Sequence, residues 1–112
     1  MQCPKCPSSR LVATHVQAIE VDRCETCGGI WFDQRELIPV LHESLPELTA
    51  LRGRSAPERM NQKHGQCPRD AAGLIRVSSR LGNAVIVDTC PQCQGIWLDG
   101  GEFDSLLKGV AR

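Results

Sequence analysis

The chain has 112 residues, with thirteen basic and thirteen acidic side chains, and this zero net charge argues against a simple polyanion-binding protein. No run approaches the roughly 20 apolar residues that span a bilayer, and no apolar signal segment follows Met1, so we expect a cytoplasmic protein with no membrane contact. The odd number of cysteines, seven, disfavours a secreted disulfide framework and fits a reducing compartment.

Two C-x-x-C motifs separated by seventeen residues come first along the chain: Cys3-Pro-Lys-Cys6 and Cys24-Glu-Thr-Cys27. The residues between them are rich in β-branched side chains and have a reversal near Gln17, which predicts two strands that return the second motif to the first. This spacing is typical of a zinc ribbon. Four cysteines fill a tetrahedral zinc shell and leave no position for water, as in a structural site. A redox dithiol and free buried thiols are the alternatives.

A D-x-x-E pattern follows the predicted third strand of each half, at Asp33 and Glu36 and again at Asp99 and Glu102. In a capping box the first side chain accepts a hydrogen bond from the N3 amide, and the second reaches back to the start of the helix. Helices are therefore predicted to begin at Gln34 and at Gly100.

The first of these helices should end or kink at Pro39. A second helical start is predicted at Ser44, giving a helix to about Arg52, and the residues from 54 to 66 have no periodicity and are expected to form a linker. The last helix has an apolar stripe that needs a partner, formed by Phe103, Leu106, Leu107 and Val110. Such a stripe predicts docking of another protein or of a second copy of this chain.

The second half repeats the first. The motif that begins at Cys24 recurs sixty-six positions later at Cys90, and a glycine-containing turn is predicted at residues 81–83. Aspartate replaces one cysteine, so the second predicted ligand set is Cys67, Asp70, Cys90 and Cys93. His64 is a rival fourth ligand. A three-cysteine site that is empty or completed by water is the remaining alternative, and only an open position would allow hydrolysis.

Trp31 and Trp97 stand at the same place in each repeat. They could stack on nucleic-acid bases, but aromatic side chains dominate small cores, so we expect them to pack beneath the knuckles. Gly29 and Gly95 are expected to supply the tight backbone that follows each knuckle.

Charge is unevenly distributed. Residues 50–80 contain seven basic and two acidic side chains, whereas the flanking segments are acidic. A basic stretch on a neutral protein can contact phosphates, although a polar linker has a similar composition. The candidate nucleic-acid-binding residues are Arg52, Arg54, Arg59 and Lys63.

The pattern CPxC, a hairpin insert and CxxCxGIWxDxxEL resembles the bacterial zinc ribbons related to that of transcription factor IIB, described as predicted zinc-finger nucleic-acid-binding proteins. Two tandem copies would cover nearly all of the chain outside the linker. The resemblance implies a zinc-ribbon fold and a role with nucleic acid or the transcription machinery.

The sequence thus predicts a small, metal-dominated α+β protein of two tandem zinc β-ribbons with rubredoxin-like knuckles, each followed by a short helix. The expected domains are a first ribbon at 1–43, a helical then basic linker at 44–66 and a second ribbon at 67–112. The expected function is that of a zinc-binding module that binds nucleic acid or is associated with transcription, with two Zn²⁺ ions and no catalysis. A protein-interaction adaptor and a thiol-based redox or zinc sensor are the alternatives.

Overall fold

The computed structural model describes residues 1–43, 46, 48, 51, 59, 62–78 and 85–109, and within these residues six short strands and two helices have complete bounds. The first repeat contains β1 (Val12–Val16), β2 (Ile19–Arg23), β3 (Ile30–Phe32) and helix α1 (Leu37–Leu41). The second repeat contains β4 (Ile75–Ser78), β5 (Ile86–Thr89), β6 (Ile96–Leu98) and helix α2 (Glu102–Gly109). The predicted reversal near Gln17 is confirmed, since Gln17 and Ala18 form the turn between β1 and β2.

The two repeats share one antiparallel sheet with the strand order β1-β2-β3-β6-β5-β4. The junction is the pairing of β3 with β6, in which Trp31 lies opposite Trp97 and the flanking pairs are Ile30 with Leu98 and Phe32 with Ile96. This pairing relates the repeats by an approximate twofold axis at the tryptophan pair. It also covers the edge that a lone three-stranded ribbon would leave open at its third strand. The domain boundaries expected from the sequence stay a prediction.

Alternation along the central strands gives the sheet two different faces. Ile30 and Phe32 point to one side with Val21 and Val87, where the helices cover them in the larger apolar core. Trp31 and Trp97 point to the other side, into a second cluster that contains the buried cysteines of both metal motifs. The sheet is therefore the middle layer between a layer of helices and a layer of metal-binding knuckles.

The helices begin later than the sequence predicted. α1 starts at Leu37 instead of Gln34, and α2 starts at Glu102 instead of Gly100, because a turn comes first in each repeat. Pro39 lies within the first turn of α1, where a missing backbone N–H is tolerated. Of the helix expected from Ser44 to about Arg52, the described residues are Pro46, Leu48 and Leu51, which have 3₁₀ conformation, and the two leucines are buried in the larger core. The turn at 81–83 and Val110 of the apolar stripe lie outside the described residues.

The apolar stripe of α2 is not a docking surface, and that prediction is wrong. Phe103, Leu106 and Leu107 are only 2%, 0% and 7% exposed, because they pack into the helical core of this chain. The Phe103 ring stacks on Phe32 with centroids 6.1 Å apart. None of the helices in the described part of the chain has the length and apolar character that crossing a bilayer requires.

Candidate metal centres

The first metal centre is formed by the four cysteines that the sequence predicted. The Sγ atoms of Cys3, Cys6, Cys24 and Cys27 all lie within 4.8 Å of one another, and those of Cys3 and Cys27 are 3.9 Å apart. Four sulfurs bound about 2.3 Å from one tetrahedral zinc ion lie about 3.8 Å apart. The separation fits a shared metal and is far longer than a disulfide bond, which is about 2 Å.

The second metal centre contains Asp70 beside three cysteines. The Sγ atoms of Cys67 and Cys93 are 3.6 Å apart, and both carboxylate oxygens of Asp70 are 3.5 Å from the Cys90 sulfur. An oxygen and a sulfur on the same zinc ion are expected about 3.6 Å apart. The ligand cluster does not include His64, the rival candidate, whose exposed side chain lies along the neighbouring cleft.

The two centres differ in their access to solvent. Three of the four ligands of the first centre are buried, and Cys6 is half-buried. In the second centre Asp70 is exposed and Cys93 is half-buried. The second centre thus combines a harder oxygen ligand with greater access for water, chelators and oxidants.

The backbone of each knuckle is arranged to support thiolates. The amides of Gln92 and Cys93 point at the Cys90 sulfur at 3.4 Å, and the amide of Arg69 points at the Cys67 sulfur at 3.3 Å. These donors stabilise negative charge on sulfur. The residue after the last ligand of three knuckles has a positive φ, at Gly28, Ala71 and Gln94.

Gly29 and Gly95 therefore do not have the role expected of them. An added Cβ at Gly29 would lie 2.1 Å from Cζ2 of Trp97, and one at Gly95 would lie 2.1 Å from Cζ2 of Trp31. Each glycine leaves room for the tryptophan of the opposite repeat. The expectation that the tryptophans are core residues agrees with their full burial.

Charge within the first cluster favours metal binding. The hydrogen bond between the Cys3 and Cys27 sulfurs, which are 3.9 Å apart, lowers the pKa of Cys27 to about 5. Burial raises the pKa of Cys6 to about 11 and that of Cys67 to about 12. A divalent cation among these sulfurs would displace their protons and neutralise the crowded thiolates, and this is the contribution that zinc makes when bound.

The aspartates after the tryptophans do not cap the helices, which corrects half of the predicted capping box. Asp33 accepts the Trp31 indole N–H at 3.0 Å, and Asp99 accepts the Trp97 indole N–H at 2.9 Å. The other half is present, because Glu36 accepts the amide of Asp33 at 2.8 Å. Glu102 accepts the amide of Asp99 in the same way, at 2.7 Å.

Each of these aspartates also binds a cation from the opposite repeat. Lys5, whose side chain is fully buried, lies 2.7 Å from Asp99 and 2.9 Å from Asp88. Arg69 forms a two-point ion pair with Asp33, in which its Nη2 lies 2.6 Å from Oδ2. This pairing lowers the pKa of the Asp33 carboxyl, whereas burial raises that of Asp88 despite the opposing effect of Lys5.

The sequence alone indicates no role for Lys5 and groups Arg69 only with the basic segment at 50–80. A signal was present, since both first knuckles have a basic residue at their third position and both tryptophans precede an aspartate by two residues. What was missing was the pairing of the repeats, which brings the knuckle of one beside the aspartate of the other.

A cleft of about 770 Å³ lies between the two first knuckles. Lys63 lines this cleft and donates a hydrogen bond to the backbone oxygen of Lys5 at 3.2 Å. Arg59 is exposed, and Arg52 and Arg54 lie outside the described residues. The nucleic-acid-binding role of these four residues stays a prediction.

The fold and the two ligand clusters define a tandem zinc-ribbon protein with sites for two zinc ions. A family model described as "Transcription factor zinc-finger" matches residues 2–42 and residues 66–109. Because these segments make up most of the chain, the protein belongs to this family, and the predicted two tandem copies are confirmed. No curated protein and no solved structure matches the chain.

Proposed function

We propose that this protein is a nucleic-acid-binding or transcription-associated module, in which both zinc ions are structural and no reaction is catalysed. The family match carries the proposal, since two segments of the chain match a model described as a transcription factor zinc-finger. Fold alone does not fix function, so the mode of binding has to be argued from the side chains that remain available.

Base stacking on tryptophan or phenylalanine is not available to this protein. Its four aromatic residues are at most 2% exposed: Trp31, Phe32, Trp97 and Phe103. Single-strand binders commonly depend on stacking of bases on exposed rings. Contact with the phosphate backbone is therefore the expected mode, and duplex DNA or RNA is the expected ligand class.

Fewer basic side chains are available to bind phosphate than the sequence suggested. Arg69 is paired with Asp33, and Arg76 lies 3.9 Å from Asp88. Arg59 and Lys63 are exposed in the structure. The proposed phosphate-binding residues are therefore Arg52, Arg54, Arg59 and Lys63, of which Lys63 lines the inter-knuckle cleft.

The test is the salt dependence of binding to a duplex. Replacing Arg52, Arg54, Arg59 and Lys63 with glutamine should weaken binding at low salt. It should also reduce the slope of log K against log salt by up to about 0.9 for each lost contact on duplex DNA. A control protein with glutamine at exposed basic positions elsewhere should keep the parental slope: Arg10, Arg35 and Lys108.

Two outcomes would contradict the proposal. One is an absence of binding by the parent protein at low salt to duplex DNA and to duplex RNA. The other is a loss of affinity in the control protein that is as large per charge removed as in the test protein, which would show that only total charge matters.

The proposal that zinc is not catalytic is supported by the donor sets. Each cluster has four protein ligand atoms, including Asp70 in the second, and a closed tetrahedral shell has no position for a nucleophilic water. Replacing Asp70 with alanine opens that position. We expect the substitution to reduce zinc retention without creating hydrolytic activity.

A zinc or thiol sensor is a second candidate, which the exposed Asp70 and half-exposed Cys93 favour. In that case a mild oxidant should release one equivalent of zinc, and a thiol reductant should restore binding. Release of both ions at once, or of neither, would count against selective sensing at the second centre. The adaptor alternative loses its predicted surface, because Phe103, Leu106 and Leu107 are buried.

A further inference from the structure

The first knuckle of each repeat places a cation against the other repeat. Lys5 lies between the ligands Cys3 and Cys6 of the first centre and contacts Asp88 and Asp99 of the second repeat. It forms these contacts with a side chain that has no exposed surface.

Arg69 makes the reciprocal contact. It lies between the ligands Cys67 and Asp70 of the second centre, and its guanidinium binds both carboxylate oxygens of Asp33 in the first repeat. This ion pair is at the surface, with the Arg69 side chain 48% exposed and that of Asp33 30% exposed. A substitution here leaves no buried charge without a partner.

The aspartates that bind these cations lie close to metal ligands of their own repeat, either through a tryptophan or along the chain. Asp33 holds the Trp31 indole, and Trp31 packs in the same apolar cluster as Cys24 and Cys27. Asp99 holds the Trp97 indole in the same way, and Asp88 precedes the ligand Cys90 by two residues. Both tryptophans and the buried cysteines of both centres belong to one cluster.

We propose that Lys5 and Arg69 are positioning residues that couple the two zinc centres energetically. Zinc at one centre fixes the first knuckle of that repeat. The cation of this knuckle binds an aspartate of the other repeat, and that aspartate holds the tryptophan that lies near the other centre. By thermodynamic linkage, each metal then raises the affinity of the other by the same factor, for which about 5- to 150-fold is typical. The surface location of the Arg69 pair places its share at the lower end of that range.

Because of this coupling, loss of metal from the weaker second centre lowers the metal affinity of the first centre. The second centre has an oxygen ligand and an exposed edge, so it loses metal first when zinc is scarce. Its empty knuckle no longer fixes Arg69 against Asp33, and the affinity of the four-cysteine centre falls with it. The protein would then load and release its two ions over a narrow range of zinc concentration.

Cadmium provides a probe that distinguishes the centres, because ¹¹³Cd gives separate NMR resonances for four-sulfur and for three-sulfur, one-oxygen ligand sets. The protein is titrated with a competing chelator, and the affinity of the four-sulfur centre is measured with the second centre intact and with Asp70→Ala. The same pair of measurements is then made in an Arg69→Gln background. Arg35→Gln is the matched control background, because Arg35 is exposed and forms neither of the two cross-repeat contacts.

We expect Asp70→Ala to reduce the cadmium affinity of the four-sulfur centre by about fivefold in the parent and in the Arg35→Gln protein. In the Arg69→Gln protein the same change should reduce it less than about twofold. No reduction in the parent would overturn the coupling. An equal reduction in all three backgrounds would overturn the assignment to Arg69.

A measurement without any ligand substitution guards against misfolding of the Asp70→Ala protein. As metal-free protein is titrated with cadmium against a competing chelator, the midpoints of the two resonances should lie closer together in the parent than in the Arg69→Gln protein. Arg69→Lys should be intermediate, because lysine keeps the charge without the two-point geometry. An equal separation of the midpoints in the parent and in the Arg69→Gln protein would refute the proposal.

Discussion

A methyl group added at Gly29 tests the packing of the two repeats directly. The new Cβ would lie 2.1 Å from Cζ2, 2.5 Å from Cη2 and 2.9 Å from Cε2 of Trp97, all in the opposite repeat. Gly29 is not among the residues with positive φ, whereas its neighbour Gly28 is, so an alanine at Gly29 introduces no backbone strain. The effect of Gly29→Ala is therefore steric.

The size of the stability loss follows from the displacement of the Trp97 indole and the weakening of its hydrogen bond. Carbon atoms pack at about 3.5–4.0 Å, so Trp97 must move by more than about 1 Å. It is fully buried, and its N–H donates to Asp99 at 2.9 Å. Overpacking costs about 1–3 kcal/mol, and a weakened hydrogen bond to a charged group adds about 1.5–3 kcal/mol. We expect a loss of about 3–5 kcal/mol in the free energy of unfolding.

Urea unfolding of the zinc-saturated protein measures that loss. Gly73→Ala is the matched control, because an added Cβ at Gly73 has no neighbour within 4 Å. Gly95→Ala should behave like Gly29→Ala, since its Cβ would meet Trp31 at the same distance. In a Trp97→Phe background the cost of Gly29→Ala should be smaller, because phenylalanine lacks the outer atoms of the indole.

Equal stability of the Gly29→Ala and Gly73→Ala proteins would refute the packing of the repeats described above. A large loss in Gly29→Ala that persisted unchanged with Trp97→Phe would refute the steric explanation.

Three further predictions concern the metal centres and one buried acid. Removing zinc with a chelator should abolish the ordered amide NMR spectrum, because structural zinc contributes on the order of 10 kcal/mol, comparable with the stability of a small domain; a native spectrum without metal would contradict this. Asp70→Cys should increase zinc retention against a competing chelator, Asp70→Ala should decrease it and His64→Ala should leave it unchanged. Release of the second ion by His64→Ala alone would show that His64, and not Asp70, is the fourth ligand. Burial raises the pKa of Glu102 from 4.5 to about 7, so the native state binds more protons than the unfolded state between these values, and this acid lowers stability as the pH rises through that window. Glu102→Gln should therefore gain about 1–2 kcal/mol over the parent between about pH 5 and pH 8, measured by denaturation in excess zinc, and a pH-independent difference would exclude this role.

The sequence by itself determined the ligands of the first metal centre and the three cysteines of the second. Two residues between ligands, and a hairpin-length insert between pairs, are local spacings that restrict which sulfurs can reach one ion, so Cys3, Cys6, Cys24 and Cys27 could be grouped without a structure. Register between the repeats placed Asp70 in the second group in the same way. The Gln17 turn was also readable, because strand alternation and turn residues act over a few positions.

Only the tertiary structure decided how the repeats are joined. Lys5 and Asp99 are 94 positions apart and Arg69 and Asp33 are 36 positions apart, so no local spacing relates them. These contacts exist because β3 pairs antiparallel with β6, which places each knuckle beside the tryptophan and aspartate of the other repeat. The same pairing, with the helices folded onto the opposite face, buries the stripe of α2 that the sequence alone left without a partner. An amphipathic pattern predicts that one face of a helix is buried. Which segment covers that face depends on contacts between residues that are distant in the sequence.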